Sequence, residues 1–277
     1  MDAIVAPRSD AEAEAEATPA SPPPPSPGKL PEVLSSTRST TPSEPLPFAT
    51  RDDVLDSCYG TTFWLLAFGT VAREGAHFGQ GKLPAFISDW TADLPLIAAL
   101  HPPSSPALVA AHAGVALGVA AAVTAARNAL LDASPEFREA TNRSNAQVLR
   151  PLRRGDVVTV SLLPAVAEET VFRGVLLPAL VPLFAHLETL VSTDANLSSY
   201  GAAVASGAAF GALHVGGGRN AAFAAWASFV GVAYGAAAVA TGDVATAMLA
   251  HALANYASAA LWLANDARES RGGVTGA

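Results

Sequence analysis

The run AAFAAWASFVGVAYGAAAVAT, residues 221–241, has no charged side chain over a length that crosses a bilayer. A spanning helix needs about 20 mostly apolar residues. In lipid the backbone must satisfy its own hydrogen bonds, which leaves helices and closed barrels as the spanning structures. PALVAAHAGVALGVAAAVTAA, 106–126, is as long and holds only His112 as an ionisable group. DVATAMLAHALANYASAALWLA, 243–264, has its one acid at the first position. SSYGAAVASGAAFGALH, 198–214, is shorter but apolar, and DVVTVSLLPAVAEETVFRGVLLPALVPLF, 156–184, is apolar around an internal cluster of charges. SCYGTTFWLLAFGTVA, 57–72, reads as a further helix and 88–101 as a partial or re-entrant one. Together these segments predict an all-α polytopic membrane bundle of about six spanning helices. An alanine-rich soluble bundle is the alternative, disfavoured because several uncharged runs of this length seldom share one soluble chain.

Charged residues make up only 14% of the chain, against about 25% in an ordinary soluble domain. Mean hydropathy is a modest +0.32, because residues 1–50 are rich in proline, serine and glutamate and dilute it. That stretch buries too little to offset its ordering entropy and is expected to be a disordered tail. It lacks the apolar core of a secretory signal, and Asp2, Asp10, Glu12, Glu14 and Glu16 count against a transit peptide. The expected organisation is the tail at 1–50, accessory membrane helices with a basic amphipathic loop at 51–154, a catalytic membrane domain at 155–264 and a flexible end at 265–277. A formal net charge of −8 argues against a nucleic-acid partner. The single cysteine, Cys58, allows neither an intrachain disulfide nor a CxxC metal spacing.

Arginine placement sets the expected orientation. The segment 127–155 holds Arg127, Arg138, Arg143, Arg150, Arg153 and Arg154 and is expected on the cytoplasmic or stromal side. The loop near 185–197 has Glu188 and Asp194 without lysine or arginine. GAAFG at 207–211 and GVAYG at 231–235 are GxxxG patterns, read as close helix packing.

Ionisable groups in a membrane helix are costly and face a bundle interior or a water-filled cavity. Here they cluster. Glu169 and Arg173 are i,i+4 and can pair, whereas Glu168 is turned by about 100° and can point elsewhere. Pro164, one turn before Glu168, removes a backbone hydrogen bond and is expected to kink the helix. His251 and Asn255 share a face, as do Phe210 and His214, with Phe210 placed to pack on the imidazole. His112, alone in its helix, reads as a helix–helix hydrogen bond. A buried carboxylate suits general-base work, and a histidine beside it can help hold a water. A histidine with an asparagine can donate hydrogen bonds to a developing oxyanion. Together these point to water-mediated amide hydrolysis. Glu168, His214 and His251 are also a zinc-type ligand set, though without the HExxH spacing. Taken singly, Glu169–Arg173 reads first as a structural pair and His214 as an ordinary helix-end residue.

EETVFR, FGALH and HALAN match, in order, the EExxxR, FxxxH and HxxxN motifs of the CPBP intramembrane proteases. That family includes the type II CAAX prenyl endopeptidases and the bacteriocin-processing and immunity proteins. The resemblance covers roughly residues 155–262. It implies a helical membrane domain with a site buried in the bilayer and open to the cytoplasm, acting on a membrane-anchored or prenylated protein. By motif position it implies that Glu168 and His214 activate water, Glu169 supports Glu168, and Arg173 orders the helix. His251 with Asn255 would hold the oxyanion. It favours glutamate-dependent hydrolysis without a cofactor, with zinc as the lesser alternative. The host membrane is expected to be the endoplasmic reticulum or a plastid. A non-proteolytic scaffold or chaperone is the competing function. A proton-coupled transporter is a weaker one, because no inverted repeat is visible.

Overall fold

The computed structural model describes residues 49–78, 105–191, 197–215 and 219–272. Residues 1–48 of the expected tail and the expected partial helix at 88–101 lie outside them. The described chain is built from α1 (Arg51–Phe78), α2 (Pro106–Ala133), α3 (Pro135–Leu149) and α4 (Arg154–Val171). One turn of π-helix, Phe172–Leu176, joins α4 to α5 (Leu177–Val191). Then come α6 (Leu197–Ala212), α7 (Ala221–Thr241) and α8 (Val244–Gly272).

Local chemistry sets the helix ends. Ser105 accepts a hydrogen bond from the Leu108 N–H, with Pro106 in the first turn of α2. Ser134 does the same for α3 through Phe137, and its own N–H closes α2 onto the Leu130 carbonyl. Asn220 caps α7 through Phe223. Gly242, at φ 64°, ends α7 in the left-handed conformation that glycine takes without strain. α8 continues to Gly272, past the boundary expected at 264.

Among the described residues four helical stretches are long and apolar enough to span a membrane: Pro106–Ala133, Arg154–Glu188, Ala221–Thr241 and Val244–Arg271. By this measure the described residues hold four of the about six spans expected, and the expected partial helix at 88–101 lies outside them. α6 has 16 residues, roughly 24 Å at 1.5 Å per residue, short of a hydrocarbon core of about 30 Å. α1 is long, but acids crowd its first two turns and Arg73 with Glu74 lie near its end, so its apolar centre is short. That centre still turns Tyr59, Phe63, Trp64, Phe68 and Val71 outward, while Val54, Leu55 and Thr62 face in.

This surface is the reverse of a water-soluble protein. The exposed set is large and apolar, including Leu117, Leu162, Leu183 and Phe229, whereas the interior is dominated by alanine. Lipid supplies no hydrophobic penalty to the outer leucines, so close backbone approach between small residues drives association instead. At the α6–α7 contact a Cβ on Gly207 would lie 2.6 Å from the Val232 nitrogen, and one on Gly211 1.9 Å from the Ser228 hydroxyl. A Cβ on Gly231 would lie 2.9 Å from the Gly207 Cα, and one on Gly235 3.0 Å from Ala203. Both GxxxG patterns are thus the packing seam of one helix pair. The chain is an integral membrane protein of all-helical architecture.

Candidate active site

α1 reaches the site-bearing helix α4 through a bidentate ion pair. Arg51 donates to both oxygens of Asp156 at 2.6 and 2.7 Å, and Asp156 also accepts the Arg153 N–H that opens α4. Farther along, Gly69 of α1 lies against Thr170 and Val171. α4 continues through Pro164 as regular helix, and the irregular turn comes later, directly after the glutamates. Such π-turns often mark functional sites. Here the turn shifts carbonyls out of the usual ladder, and other helices answer them. The Ser206 hydroxyl donates to the Phe172 carbonyl at 2.9 Å, and Arg73 donates to the Gly174 carbonyl. Pro178 lacks the N–H that an α-helix would offer Gly174, which explains why a side chain takes its place.

The two glutamates separate as their spacing predicts. Glu169 has a side chain at 0% exposure and accepts from Arg173 at 3.0 Å and from His251 Nδ1 at 2.8 Å. Arg173 is itself buried, donates a second hydrogen bond to the Gly231 carbonyl, and lies over the rings of Phe172, Phe210 and Tyr234. Glu168 keeps 21% of its side chain exposed, with its carboxylate 3.9 Å from His251 Nε2. It opens into a cavity of about 550 Å³ that Pro164, His214, His251 and Asn255 also line. α4, the end of α6, and α8 thus deliver the motif residues to one space.

Hydrogen bonding fixes the histidine tautomers. His214 Nδ1 lies 2.7 Å from the Phe210 carbonyl. A carbonyl only accepts, so Nδ1 carries the proton and Nε2 of the neutral ring is an acceptor. The Glu169 carboxylate imposes the same assignment on His251, leaving its Nε2 toward Glu168. Rings hold both imidazoles in place. Phe210 packs on His214 at 4.4 Å, and Tyr234 stacks on His251 at 4.7 Å and 21°. Phe210 also meets His251 edge-on at 6.1 Å. Among the described residues no group of three or more His, Cys, Asp or Glu is placed to hold a metal ion. The alternative ligand set Glu168, His214 and His251 lines one cavity without forming such a group.

His112 belongs elsewhere. Its Nδ1 lies 3.0 Å from Asp243, joining α2 to the start of α8 as the helix–helix contact expected of it. Sequence reasoning missed Arg219, which lines the site cavity, lies over Phe223 at 5.0 Å and faces Glu168 electrostatically. Burial lowers the pKa of its guanidinium, and the Glu168 charge opposes that shift. A lone cation after a glycine run and five residues beyond the FxxxH histidine was the available signal. Tyr234 and Ser206 were hidden inside runs that read only as packing.

Fold and site together define a multi-pass helical membrane protein that carries a carboxylate–imidazole cluster within its bundle. Residues 152–257 match the sequence model of a known family, described as Rce1-like, type II CAAX prenyl endopeptidase Rce1-like. This is the family that the three motifs resemble, and all three motifs fall inside the match. No curated protein and no solved structure matches the chain.

Proposed function

We propose that this protein is an intramembrane endopeptidase that hydrolyses a peptide bond of a membrane-anchored substrate. The observation that carries the proposal is the convergence of Glu168, His214, His251 and Asn255 from separate helices on one cavity. Glu168, held beside the cavity while Glu169 is locked in its ion pair, is the general base. A water between Glu168 and the acceptor Nε2 of His214 loses its proton to Glu168 and attacks the scissile carbonyl. Asn255 Nδ2 donates to the resulting oxyanion. His251 Nε2 donates as well when the ring carries both protons, with Glu169 and Glu168 as counter-charges. Glu168 then returns its proton to the leaving amine, and the carbon–nitrogen bond breaks. This chemistry routes no step through a metal.

Within this reading, removal of the C-terminal tripeptide from a prenylated cysteine is the favoured reaction, on the strength of the family match over 152–257. The host is a membrane of the endoplasmic reticulum or a plastid. The test uses purified protein in nanodiscs with an S-farnesylated Cys-Val-Ile-Met peptide. Tripeptide release by wild-type protein, insensitive to 1,10-phenanthroline and abolished in Glu168→Gln, is the expected result. Release that stops with the chelator and returns with zinc would overturn the metal-free mechanism. Absence of release would remove this substrate class.

A further inference from the structure

Behind Asn255 lies a second, smaller cavity of about 220 Å³. It is below the roughly 300–1,000 Å³ of sites that take drug-sized ligands. Val148, Val160, Phe223 and Asn255 line both this cavity and the catalytic one, so the two share a wall. Most of its surface is apolar, with Val123, Leu149, Trp226 and Val230 among the lining groups. One side is different. There Arg127, near the end of α2, lines the cavity together with Thr141 and Asn145, which are i,i+4 on α3; Ser161, Tyr234 and Ser258 are the other hydroxyl-bearing lining residues.

Arg127, Thr141 and Asn145 have a common property. Thr141 is 2% exposed and its hydroxyl has no hydrogen-bond partner, and the buried Asn145 Nδ2 has none either. Arg127 makes no hydrogen bond or ion pair among the described residues. Arg127 also borders the neighbouring cleft that Asp132, Asp266 and Glu269 line, but it forms an ion pair with none of them, and Asp266 is taken by Arg150 at 2.7 Å. No aspartate or glutamate lines the small cavity. A buried hydroxyl and amide left unpaired cost stability, and a half-buried guanidinium is stabilised by an anionic oxygen pair, which it grips bidentately. The set is therefore complementary to one oxyanion attached to a small apolar body.

We propose that this cavity holds the C-terminal residue of the peptide substrate, with its α-carboxylate on Arg127, Asn145 and Thr141. Because Val148, Val160, Phe223 and Asn255 line both cavities, the occupant would lie beside the group whose carbonyl is attacked. The enzyme would then measure the distance from a free chain end to the scissile bond. The identity of the ligand as a peptide end rests on the protease reading above, whereas the anion site itself does not.

The test is thermal unfolding of the full-length protein in neutral phosphatidylcholine nanodiscs, titrated with N-acetyl-leucine or N-acetyl-leucinamide. The acid is expected to bind about tenfold more tightly than the amide, as one charge-assisted hydrogen-bond set predicts. Arg127→Gln should erase that preference and leave amide binding unchanged. Arg127→Lys should restore part of it, and Thr141→Val, which keeps the shape, should reduce it. Equal affinity for acid and amide, or a preference that survives Arg127→Gln, would overturn the inference. Inorganic phosphate that stabilises as strongly as N-acetyl-leucine would do so too, because the site would then not select a peptide end. The probe needs no turnover. An acid preference in a protein that cleaves nothing supports the pocket and removes the protease, and cleavage without an acid preference does the reverse.

Discussion

Glu169 and Glu168 are neighbours in sequence with opposite surroundings. Glu169 is sealed between Arg173 and His251, and Glu168 faces a cavity. Arg173 divides its guanidinium between the Glu169 carboxylate and the Gly231 carbonyl, so one side chain ties α4 to the α6–α7 seam. Truncation as Arg173→Met leaves a buried carboxylate with only His251 to answer it, at a cost of about 3–5 kcal/mol. The expected result is a large fall in thermal stability and in folded yield. Arg173→Lys is expected to rescue little, because a single ammonium cannot reproduce a planar fork aimed at two acceptors. A lysine variant with wild-type stability would contradict this account of the pair.

At the scale of elements, the α6–α7 seam positions the site by bringing the end of α6, with His214, and the Gly231 carbonyl to their places. Gly211→Leu drives a side chain into Ser228 and the Ala224 carbonyl, already closer to Gly211 than any Cβ tolerates. Overpacking of this kind costs about 1–3 kcal/mol or more, and both stability and activity are expected to drop. Gly118→Leu on α2 is the control, since its Cβ would meet nothing within 4 Å, and it should be neutral in unfolding experiments. The two GxxxG patterns made this seam legible in the sequence, because small residues at i,i+4 have one obvious use between helices. The separation of Glu168 from Glu169 was legible for a similar reason, as adjacent residues on a helix cannot share a face. Pro164 lies inside α4 and does not mark the irregular turn, which falls at Phe172–Leu176. That turn depends on Ser206 and Arg73, which come from helices remote in sequence. Arg219 stayed hidden because a loop arginine reads as topology until its neighbours are known.

The whole molecule is a bundle turned inside out, with alanine within and large apolar groups outside. The cavity beside Glu168 is also lined by Gln147 and Val148 of α3 and by Ser57 and Cys58 of α1. α3 belongs to the arginine-rich stretch expected on the cytoplasmic or stromal side, so the cavity mouth should open there. Cys58 is the only cysteine in the chain, which makes it a clean reporter. A membrane-impermeant maleimide is expected to label it from that side alone and to block turnover, and Cys58→Ser protein should resist. Labelling from the opposite face would contradict the orientation.

The central claim is that Glu168 makes this protein a protease. Its most direct test is comparative N- and C-terminal proteomics of membranes from cells carrying wild-type protein or Glu168→Ala at matched expression. Loss of a general base typically lowers rate by about 10²–10⁴-fold, enough to remove product termini from view. The account predicts termini present with wild-type protein and missing with the variant, with a newly exposed prenylcysteine among them if the CAAX reading is right. An unchanged set of termini, in cells where loss of the whole protein still has a phenotype, would contradict it and leave a non-proteolytic scaffold in its place.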